Sequence, residues 1–347
     1  MKNFKINNFI FNKLSRPYII AEISSNHRGN IKDILKLMKQ IKKAGADAIK
    51  IQTYTEDTMT INSNKKEFLI KKGLWKNYKL YELYSVAKTP LSWHKKIFNE
   101  AKKLRITCFS TAFDETSVDF LKQFNVPAYK IASFEIIDLP LIEYVARQNK
   151  PIIISTGMAN LTEIKDAVKT VKKTGNKKLT LLHCVSNYPS SHKNYNLMTM
   201  IDIKKKFNVN VGLSDHTPDS ITAITASGMG AKIIEKHVKL SNDKISQDSK
   251  FSMKASDLKI FCTNIRMAWE SRGQVDYKKN NERFSKKHRR SIYVVKDIKK
   301  LEKLTKKNIR RIRPGNGLLP KYFKNVLGKK AKKKLTKGTP LKLNYLL

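Results

Sequence analysis

Two histidines end consecutive apolar runs of the sequence, a placement typical of a shared metal site. His216 follows the run Val209–Asp215. His237 lies near the end of the run Lys232–Val238. Because neighbouring parallel strands end at the same edge of a sheet, we expect both imidazoles to bind one divalent metal, with Glu22 contacting it directly or through water. A lone histidine is more often a hydrogen-bonded core residue, but two at matching heights favour the metal.

Lysines and hydroxyl groups end several of the other predicted strands. Lys50 and Lys130 would be costly inside a barrel without an anionic partner, although a surface position is the ordinary one for lysine. With nearby hydroxyls they would supply charge and hydrogen-bond donors for a phosphate and a carboxylate. The hydroxyl groups are those of Thr111, Ser133, Ser155, Ser186 and Ser214. A metal-free aldolase that forms a Schiff base on either lysine is an open alternative.

Eight apolar runs rich in β-branched residues alternate with stretches of helical periodicity. Continuous apolarity in IIIST and LTLLHCV is typical of parallel strands buried on both faces. Eight such strands predict an α/β fold, a closed (β/α)8 TIM barrel whose catalytic groups gather where strands end. A doubly wound open sheet gives the same alternation, but the count of eight and the ring of polar strand ends favour the barrel. The predicted strands are Tyr18–Ile23, Ala48–Tyr54, Thr107–Ala112, Ala128–Ser133, Pro151–Gly157, Leu179–Val185, Val209–Asp215 and Lys232–Val238.

Six of the intervening stretches predict helices. The first begins after Asn30, a suitable N-cap, and ends before Gly45. The others are Ser92–Leu104, Glu115–Phe124, Leu139–Gln148, Thr162–Lys173 and Ser220–Met229. After Gly273 the sequence becomes polar, and then changes to short strands and turns. We therefore predict a barrel domain over 1–275, a linker over 276–284 and a small second domain over 285–347.

Composition narrows the classes of protein that fit. The chain has 347 residues and a formal net charge of +43, which would suit a nucleic-acid-binding protein. However, its basic residues are spread along the whole chain, mostly as lysines on polar helix faces such as Lys36, Lys39 and Lys42. We therefore expect a lysine-rich surface that attracts an anionic substrate, and no nucleic acid as partner. Tight, salt-sensitive binding to duplex DNA would favour the alternative.

The sequence also predicts the compartment. No apolar run reaches the roughly 18–20 residues of a membrane span, so we expect no membrane contact. Met1–Arg16 has no apolar stretch ending in small residues, so we expect no secretory signal. The three cysteines, Cys108, Cys184 and Cys262, are odd in number and far apart. These features predict a reduced, cytoplasmic protein.

Seven segments, in order along nearly the whole chain, carry a resemblance to a known family. They are IIAEISSNHRGN, AGADAIKIQTYT, YKIASFEIIDLPLI, PIIISTGMA, LLHCVSNYP, NVGLSDHT and GAKIIEKHVKL. Together they resemble the sialic acid synthase family, the phosphoenolpyruvate-condensing nonulosonic acid synthases. In the tail, RRSIYVVKDI and RIRPGNGLLPKYFKNVLGKKA resemble the family's C-terminal antifreeze-like (SAF) domain.

Two further segments indicate a branch within that family. Gly73–Phe98 and Ser246–Met253 resemble the branch that makes pseudaminic acid, and Gln247-Asp248-Ser249 stands where sialic and legionaminic acid synthases typically have Gly-Pro-Asp-His. The resemblance implies condensation of phosphoenolpyruvate with 2,4-diacetamido-2,4,6-trideoxy-L-altrose. The same chemistry on another sugar, giving N-acetylneuraminic or legionaminic acid, is the alternative.

The resemblance also implies a role for each candidate residue. Glu22 would handle a proton, while His216 and His237 would bind a divalent metal, Mn²⁺ with Mg²⁺ or Co²⁺ as alternatives. Arg313 would reach the active site of the partner subunit, which implies a domain-swapped homodimer. Contacts to phosphoenolpyruvate would come from Lys50, Thr111, Lys130, Ser133, Ser155, Ser186 and Ser214. Contacts to the N-acetylated amino sugar would come from Gln52, Glu135, Tyr188 and Asp248.

Overall fold

The computed structural model describes residues 3–277 and 280–347, which form two compact units. The first unit is Met1–Gly273 and the second is Gln274–Leu347. Lys278 and Lys279 of the predicted linker lie outside the described residues. The rest of the linker includes the start of a four-residue helix, Arg283–Lys286.

Eight parallel strands form the core of the first unit. Each strand pairs with the next, and the eighth also pairs with the first, so the sheet closes into a barrel. The predicted TIM barrel is confirmed, and all eight predicted strands are present. They are β1 (Tyr18–Glu22), β2 (Ala48–Thr53), β3 (Thr107–Ala112), β4 (Tyr129–Ile131), β5 (Ile152–Ser155), β6 (Leu179–Cys184), β7 (Asn210–Asp215) and β8 (Ile233–Lys239).

The register of these strands places the candidate residues in rows. His237 on β8 lies opposite Glu22 on β1, which lies opposite Lys50 on β2. Thr111 on β3 lies opposite Lys130 on β4. Because opposite residues of paired strands lie side by side, the register alone brings groups that are distant in sequence into contact at the carboxyl end of the barrel.

Eight helices follow the strands and cover the barrel. The first shows why they form where they do: Asn30 caps its start by accepting a hydrogen bond from the Lys32 backbone, and Gly45 ends it with a φ of 88°. Two of the eight were not predicted, although one of them, Leu258–Arg272, carries a buried stripe of apolar residues. The helices are α1 (Ile31–Ala44), α2 (Leu91–Leu104), α3 (Glu115–Lys122), α4 (Leu139–Arg147), α5 (Leu161–Lys173), α6 (Met198–Phe207), α7 (Ile221–Gly228) and α8 (Leu258–Arg272).

Smaller elements complete the first unit. An N-terminal antiparallel hairpin, Phe4–Ile6 with Phe9–Phe11, packs its aromatic rings on Tyr18 at the amino end of β1. The long connection between β2 and α2 contains two helices, Glu56–Met59 and Leu80–Ala87. A two-residue strand, Met253–Lys254, pairs with the end of β8. The hairpin and both of these helices were missed from the sequence. The hairpin strands and the helix Glu56–Met59 are too short to show a clear period.

The second unit has a small apolar core of its own. Two antiparallel strands, Ser291–Val294 and Ile309–Ile312, pair across its centre. A four-residue helix, Phe323–Val326, packs nearby. The core side chains are Ile292, Val294, Ile298, Leu304, Ile309, Val326, Ala331, Leu335, Leu341 and Leu346. Across both units, the described residues include no helix long and apolar enough to span a membrane.

Candidate active site

A buried lysine on β2 organises the floor of the site. Lys50 Nζ lies 2.5 Å from Glu22 Oε2 and 3.7 Å from Glu235 Oε1. It also donates a hydrogen bond of 2.8 Å to Thr111 Oγ1. Ser214 lies beside this group, since its hydroxyl donates to Glu235 Oε1 over 3.4 Å. Glu235 was not among the predicted site residues, although it lies on β8 two residues before His237.

Burial changes the protonation of these groups. It raises the pKa of Glu22 to about 7; Lys50 opposes this shift and the negative charge of Glu235 adds to it. Burial disfavours the Lys50 ammonium, but the two carboxylates together raise the pKa of that lysine. Glu22 can therefore hold or release a proton near neutral pH while Lys50 stays charged.

A second lysine lies on β4 beside a group of hydroxyls. Lys130 Nζ donates to Ser155 Oγ over 2.7 Å and to the Ile131 carbonyl oxygen over 2.6 Å. Burial lowers the pKa of Lys130 to about 8. A bound anion would favour the charged form of this lysine, so the position suits a ligand that carries negative charge.

A glycine opens space between two of the predicted hydroxyls. The Gly157 backbone N–H donates to Ser133 Oγ over 3.1 Å. A Cβ atom at this position would lie 2.2 Å from Ser186 Oγ and 2.8 Å from Ser133 Oγ, so a larger residue would displace these two hydroxyls. The result is a cradle of one backbone donor and two hydroxyls, which are groups that bind phosphate oxygens.

The histidine at the end of β7 is held at all but one of its polar atoms. The His216 N–H donates to the Tyr195 hydroxyl oxygen over 2.7 Å, and its carbonyl accepts from the Ser190 N–H over 3.0 Å. Its Nδ1 lies 3.0 Å from the Val185 carbonyl oxygen. Since a carbonyl can only accept, Nδ1 carries the hydrogen, and the lone pair of Nε2 remains for a ligand.

The second histidine lies beside the first. The ring centroids of His216 and His237 are 5.3 Å apart. His237 Nδ1 is buried without a hydrogen-bond partner and lies 3.9 Å from Asp248 Oδ2. Burial, with His216 adding to it, holds the pKa of His237 well below its usual value, so its imidazole is neutral.

These observations test whether a metal fits. Among the described residues, no group of three or more His, Cys, Asp or Glu side chains is arranged to hold an ion. One ring nitrogen from each histidine suits a divalent metal whose other ligands are water and substrate oxygens, as in open catalytic sites. The residues therefore fit a two-histidine site, and they do not fit a cage made by protein alone.

An ion pair lies directly behind the two histidines. Lys236 and Asp215, the residues that precede them, form an ion pair of 2.7 Å and are almost fully buried. Lys236 Nζ also donates to the Thr217 carbonyl and, over 3.0 Å, to the Asp219 carbonyl. The pair thereby ties the loop after β7 to β8 and fixes the spacing of the imidazoles.

Asp248 reaches the site through contacts between two loops. Its Oδ2 accepts a hydrogen bond of 2.5 Å from the Ser24 hydroxyl, and its N–H donates to Ser25 Oγ over 3.1 Å. Asn26 extends the contact by donating to Ser252 Oγ over 2.8 Å. The residues after β1 therefore hold the loop after β8, a role that the sequence did not reveal.

Three aromatic residues, Trp75, Tyr188 and Phe251, lie against the histidines, and we call them the aromatic wall. The Phe251 ring lies 4.9 Å from both Tyr188 and His237, measured between centroids. The Tyr188 ring lies 4.6 Å from His216 and 5.6 Å from Trp75. Only Tyr188 was predicted to belong to the site.

Three predicted residues stand apart from these clusters. Gln52 follows Lys50 by two residues on β2, so both point to the same side of the strand. Glu135 lies after β4, and burial raises its pKa to about 7 while its Oε2 is buried without a partner. Arg313 belongs to the second unit, where it is exposed. The roles of all three stay predictions.

The structure thus brings most of the predicted barrel residues together toward the carboxyl ends of the strands. Comparison with known proteins gives these residues a context. Residues 37–277 match the model of the NeuB family, and residues 289–346 match the SAF domain. This chain belongs to the NeuB family. The family and the small C-terminal domain predicted from the sequence are confirmed.

Individual members of the NeuB family agree with this placement. The chain is 44% identical over 335 residues to a pseudaminic acid synthase of Campylobacter jejuni, covering 96% of this chain and 97% of that protein. It is 43% identical over 330 residues to a pseudaminic acid synthase of Helicobacter pylori, covering 94% and 97%. The crystal structure of an N-acetylneuraminic acid synthetase from Leptospira borgpetersenii superimposes with a TM-score of 0.74 at 27% identity, covering 82% and 95%.

Proposed function

We propose that this chain is a pseudaminic acid synthase, which condenses phosphoenolpyruvate with 2,4-diacetamido-2,4,6-trideoxy-L-altrose to give pseudaminic acid and phosphate. The observation that carries the proposal is that anion-binding groups and two ligand-ready histidines share one barrel mouth. Lys50, Lys130 and the Gly157 cradle supply the first. His216 and His237 supply the second. The likeness to two pseudaminic acid synthases selects the sugar.

The reaction joins two carbon atoms and releases phosphate. C3 of phosphoenolpyruvate attacks the aldehyde carbon of the open-chain sugar, and the aldehyde oxygen takes up a proton. Water then adds at C2, and phosphate leaves by cleavage of the C2–O bond, giving a nine-carbon 2-keto acid. Lys50, Lys130 and the surrounding hydroxyls hold the phosphate and the carboxylate, so that C3 is oriented toward the aldehyde.

Glu22 is placed to move a proton in this reaction. Its pKa of about 7 lets the carboxyl group accept a proton from the attacking water, or donate one, close to neutral pH. The Lys50 ammonium beside it stabilises the carboxylate form. Both side chains are buried, so bulk water does not compete with this exchange.

Metal dependence is part of the proposal. His216 and His237 would hold a divalent cation, for which we propose Mn²⁺, with Mg²⁺ or Co²⁺ as alternatives. When bound, the cation would polarise the aldehyde oxygen as a Lewis acid. The chain itself contributes a fixed tautomer at His216 and a neutral imidazole at His237, both of which are the ligand form.

We further propose a homodimer. In it, Arg313 reaches the sugar in the active site of the partner subunit, while Gln52, Glu135, Tyr188 and Asp248 contact that sugar from the barrel. Apolar side chains exposed after β4 and β5 support a contact between copies, because such side chains are favourably covered in an oligomer. They are Phe134, Ile137, Met158 and Leu161.

A cytoplasmic location is also proposed. All three cysteines are buried free thiols, which fits a reducing compartment.

Phosphate release from phosphoenolpyruvate tests the function. The assay would compare 2,4-diacetamido-2,4,6-trideoxy-L-altrose, 2,4-diacetamido-2,4,6-trideoxy-D-mannose and N-acetylmannosamine, each with Mn²⁺ and with EDTA. We expect release with the altrose sugar and Mn²⁺, and loss of release in EDTA. Preference for either other sugar would make the chain a legionaminate or N-acetylneuraminate synthase. Full activity in EDTA would overturn the metal proposal.

A further inference from the structure

The two sequence segments that indicated the pseudaminic acid branch touch each other in the fold. Trp75, from Gly73–Phe98, donates its Nε1–H to the Gln247 carbonyl oxygen over 3.1 Å. The Trp75 ring also lies 6.5 Å from that of Phe251, which belongs to Ser246–Met253. Residues more than 170 positions apart therefore form one surface.

This surface lies beside the place where the chemistry is proposed. Phe251 is 3% exposed and packs edge-on against His237, with 4.9 Å between ring centroids. Tyr188 packs against His216 at 4.6 Å. With the aldehyde oxygen of a sugar near the two imidazoles, the rest of its carbon chain lies within reach of the aromatic wall.

The wall offers few hydrogen bonds to a ligand. The Trp75 N–H is already used by the Gln247 carbonyl, which leaves the Tyr188 hydroxyl as the one polar group of the wall that is free for a ligand. Phe251 has no polar atom. A hydroxyl or amide group pressed against this surface would lose its bonds to water without replacement, whereas a methyl group would not.

We propose that Trp75, Tyr188 and Phe251 bind the C6 methyl group of the sugar and so select a 6-deoxy substrate. The inference rests on the proposed function. The two acetamido groups of that sugar each carry an N–H and a carbonyl that need partners, so C6 is the part of the molecule that an apolar wall fits. Trp75 and Phe251 are therefore specificity-determining residues.

The discrimination between the 6-deoxy and the 6-hydroxy sugar can be estimated from the behaviour of other apolar pockets. Such a pocket rejects a ligand that merely adds a hydroxyl group by about 10- to 100-fold. We expect the wild-type chain to show this ratio in kcat/KM between 2,4-diacetamido-2,4,6-trideoxy-L-altrose and its 6-hydroxy counterpart, 2,4-diacetamido-2,4-dideoxy-L-altrose.

Substitutions in the wall test the inference. In Trp75→Ala and Phe251→Ala, we expect the ratio to fall to within about threefold of unity, mainly because the 6-deoxy sugar is used less well. The KM for phosphoenolpyruvate should stay unchanged. Tyr78→Ala is the matched control, since Tyr78 lies in the same segment but outside the wall and is 40% exposed. It should keep the wild-type ratio.

A conservative variant covers the case in which alanine disturbs folding. Phe251→Tyr keeps the ring and adds one hydroxyl group, so it should raise kcat/KM for the 6-hydroxy sugar relative to the 6-deoxy sugar. Thermal melting would verify that each variant folds. A wild-type ratio near unity, or unchanged ratios in all three wall variants, overturns the inference alone. Absence of turnover with both sugars in the wild-type chain overturns the proposed function and the inference with it.

Discussion

The proposed phosphate-binding side and the proposed sugar-binding side of the candidate site are built in different ways. On the phosphate side, the contacts join neighbouring strands or the residues just after them: Lys50 with Thr111, and Lys130 with Ser155. On the sugar side, they join distant loops, as between Ser24 and Asp248. The first side is fixed by strand register, and the second depends on how the loops pack. A barrel can thus keep one reaction on its strands while its loops select the substrate.

Removal of a histidine should give the largest effect, and it should affect metal binding and phosphoenolpyruvate binding differently. In His237→Ala, we expect turnover to fall by more than about a hundredfold, beyond the loss that outer-shell changes cause at metal sites. Calorimetry should show loss of Mn²⁺ binding with phosphoenolpyruvate affinity within about threefold of wild type, because separate sites act independently. His192→Ala, at an exposed histidine, is the control. Unchanged Mn²⁺ affinity in His237→Ala would remove this residue from the metal site.

The ion pair behind the histidines should make the largest single contribution to stability among the contacts of the site. Lys236→Met leaves the Asp215 carboxylate buried without its ionic partner. We therefore expect the free energy of unfolding, measured by urea denaturation, to fall by about 3–5 kcal/mol. The double variant Asp215→Asn, Lys236→Met should lose less, since no buried charge remains. Lys206→Met breaks an exposed pair with Asp202 and should cost at most about 0.5 kcal/mol. Equal losses in the single and double variants would contradict this interpretation.

A smaller effect should appear in the pH dependence of stability. The pKa of Glu135 is raised from 4.5 to about 7 by burial, so the folded chain binds more protons than the unfolded chain between these values. Stability from this group is therefore lost as pH rises from about 4.5 to 7. Glu135→Gln should remove roughly 1–3 kcal/mol of that loss. Glu143→Gln, at an exposed carboxylate, is the control and should show the wild-type dependence of stability on pH. If Glu135→Gln also showed the wild-type dependence, the raised pKa of Glu135 would be contradicted.

The same contrast explains how much the sequence could predict. All eight strands were predicted, because their apolar runs are visible in the sequence. The placement of Glu22, Lys50 and Lys130 follows from the strands, because the pairing register of neighbouring strands sets these residues side by side. Trp75 and Phe251 were missed as site residues, since no local pattern shows that segments so far apart in sequence meet. The ion pair of Lys236 was missed for a different reason. Its partners belong to another strand and a loop, and the local sequence does not show whether a lysine near the end of a strand binds substrate or a carboxylate.

The most direct test of the central claim follows one oxygen atom. Phosphoenolpyruvate labelled with ¹⁸O at its bridging oxygen would be incubated with the chain, Mn²⁺ and 2,4-diacetamido-2,4,6-trideoxy-L-altrose, and the products analysed by mass spectrometry. Attack by C3 followed by C2–O cleavage predicts that the label leaves with phosphate and that an unlabelled nine-carbon 2-keto acid forms. Label retained in the keto acid, or phosphate released without this product, would contradict the proposed reaction.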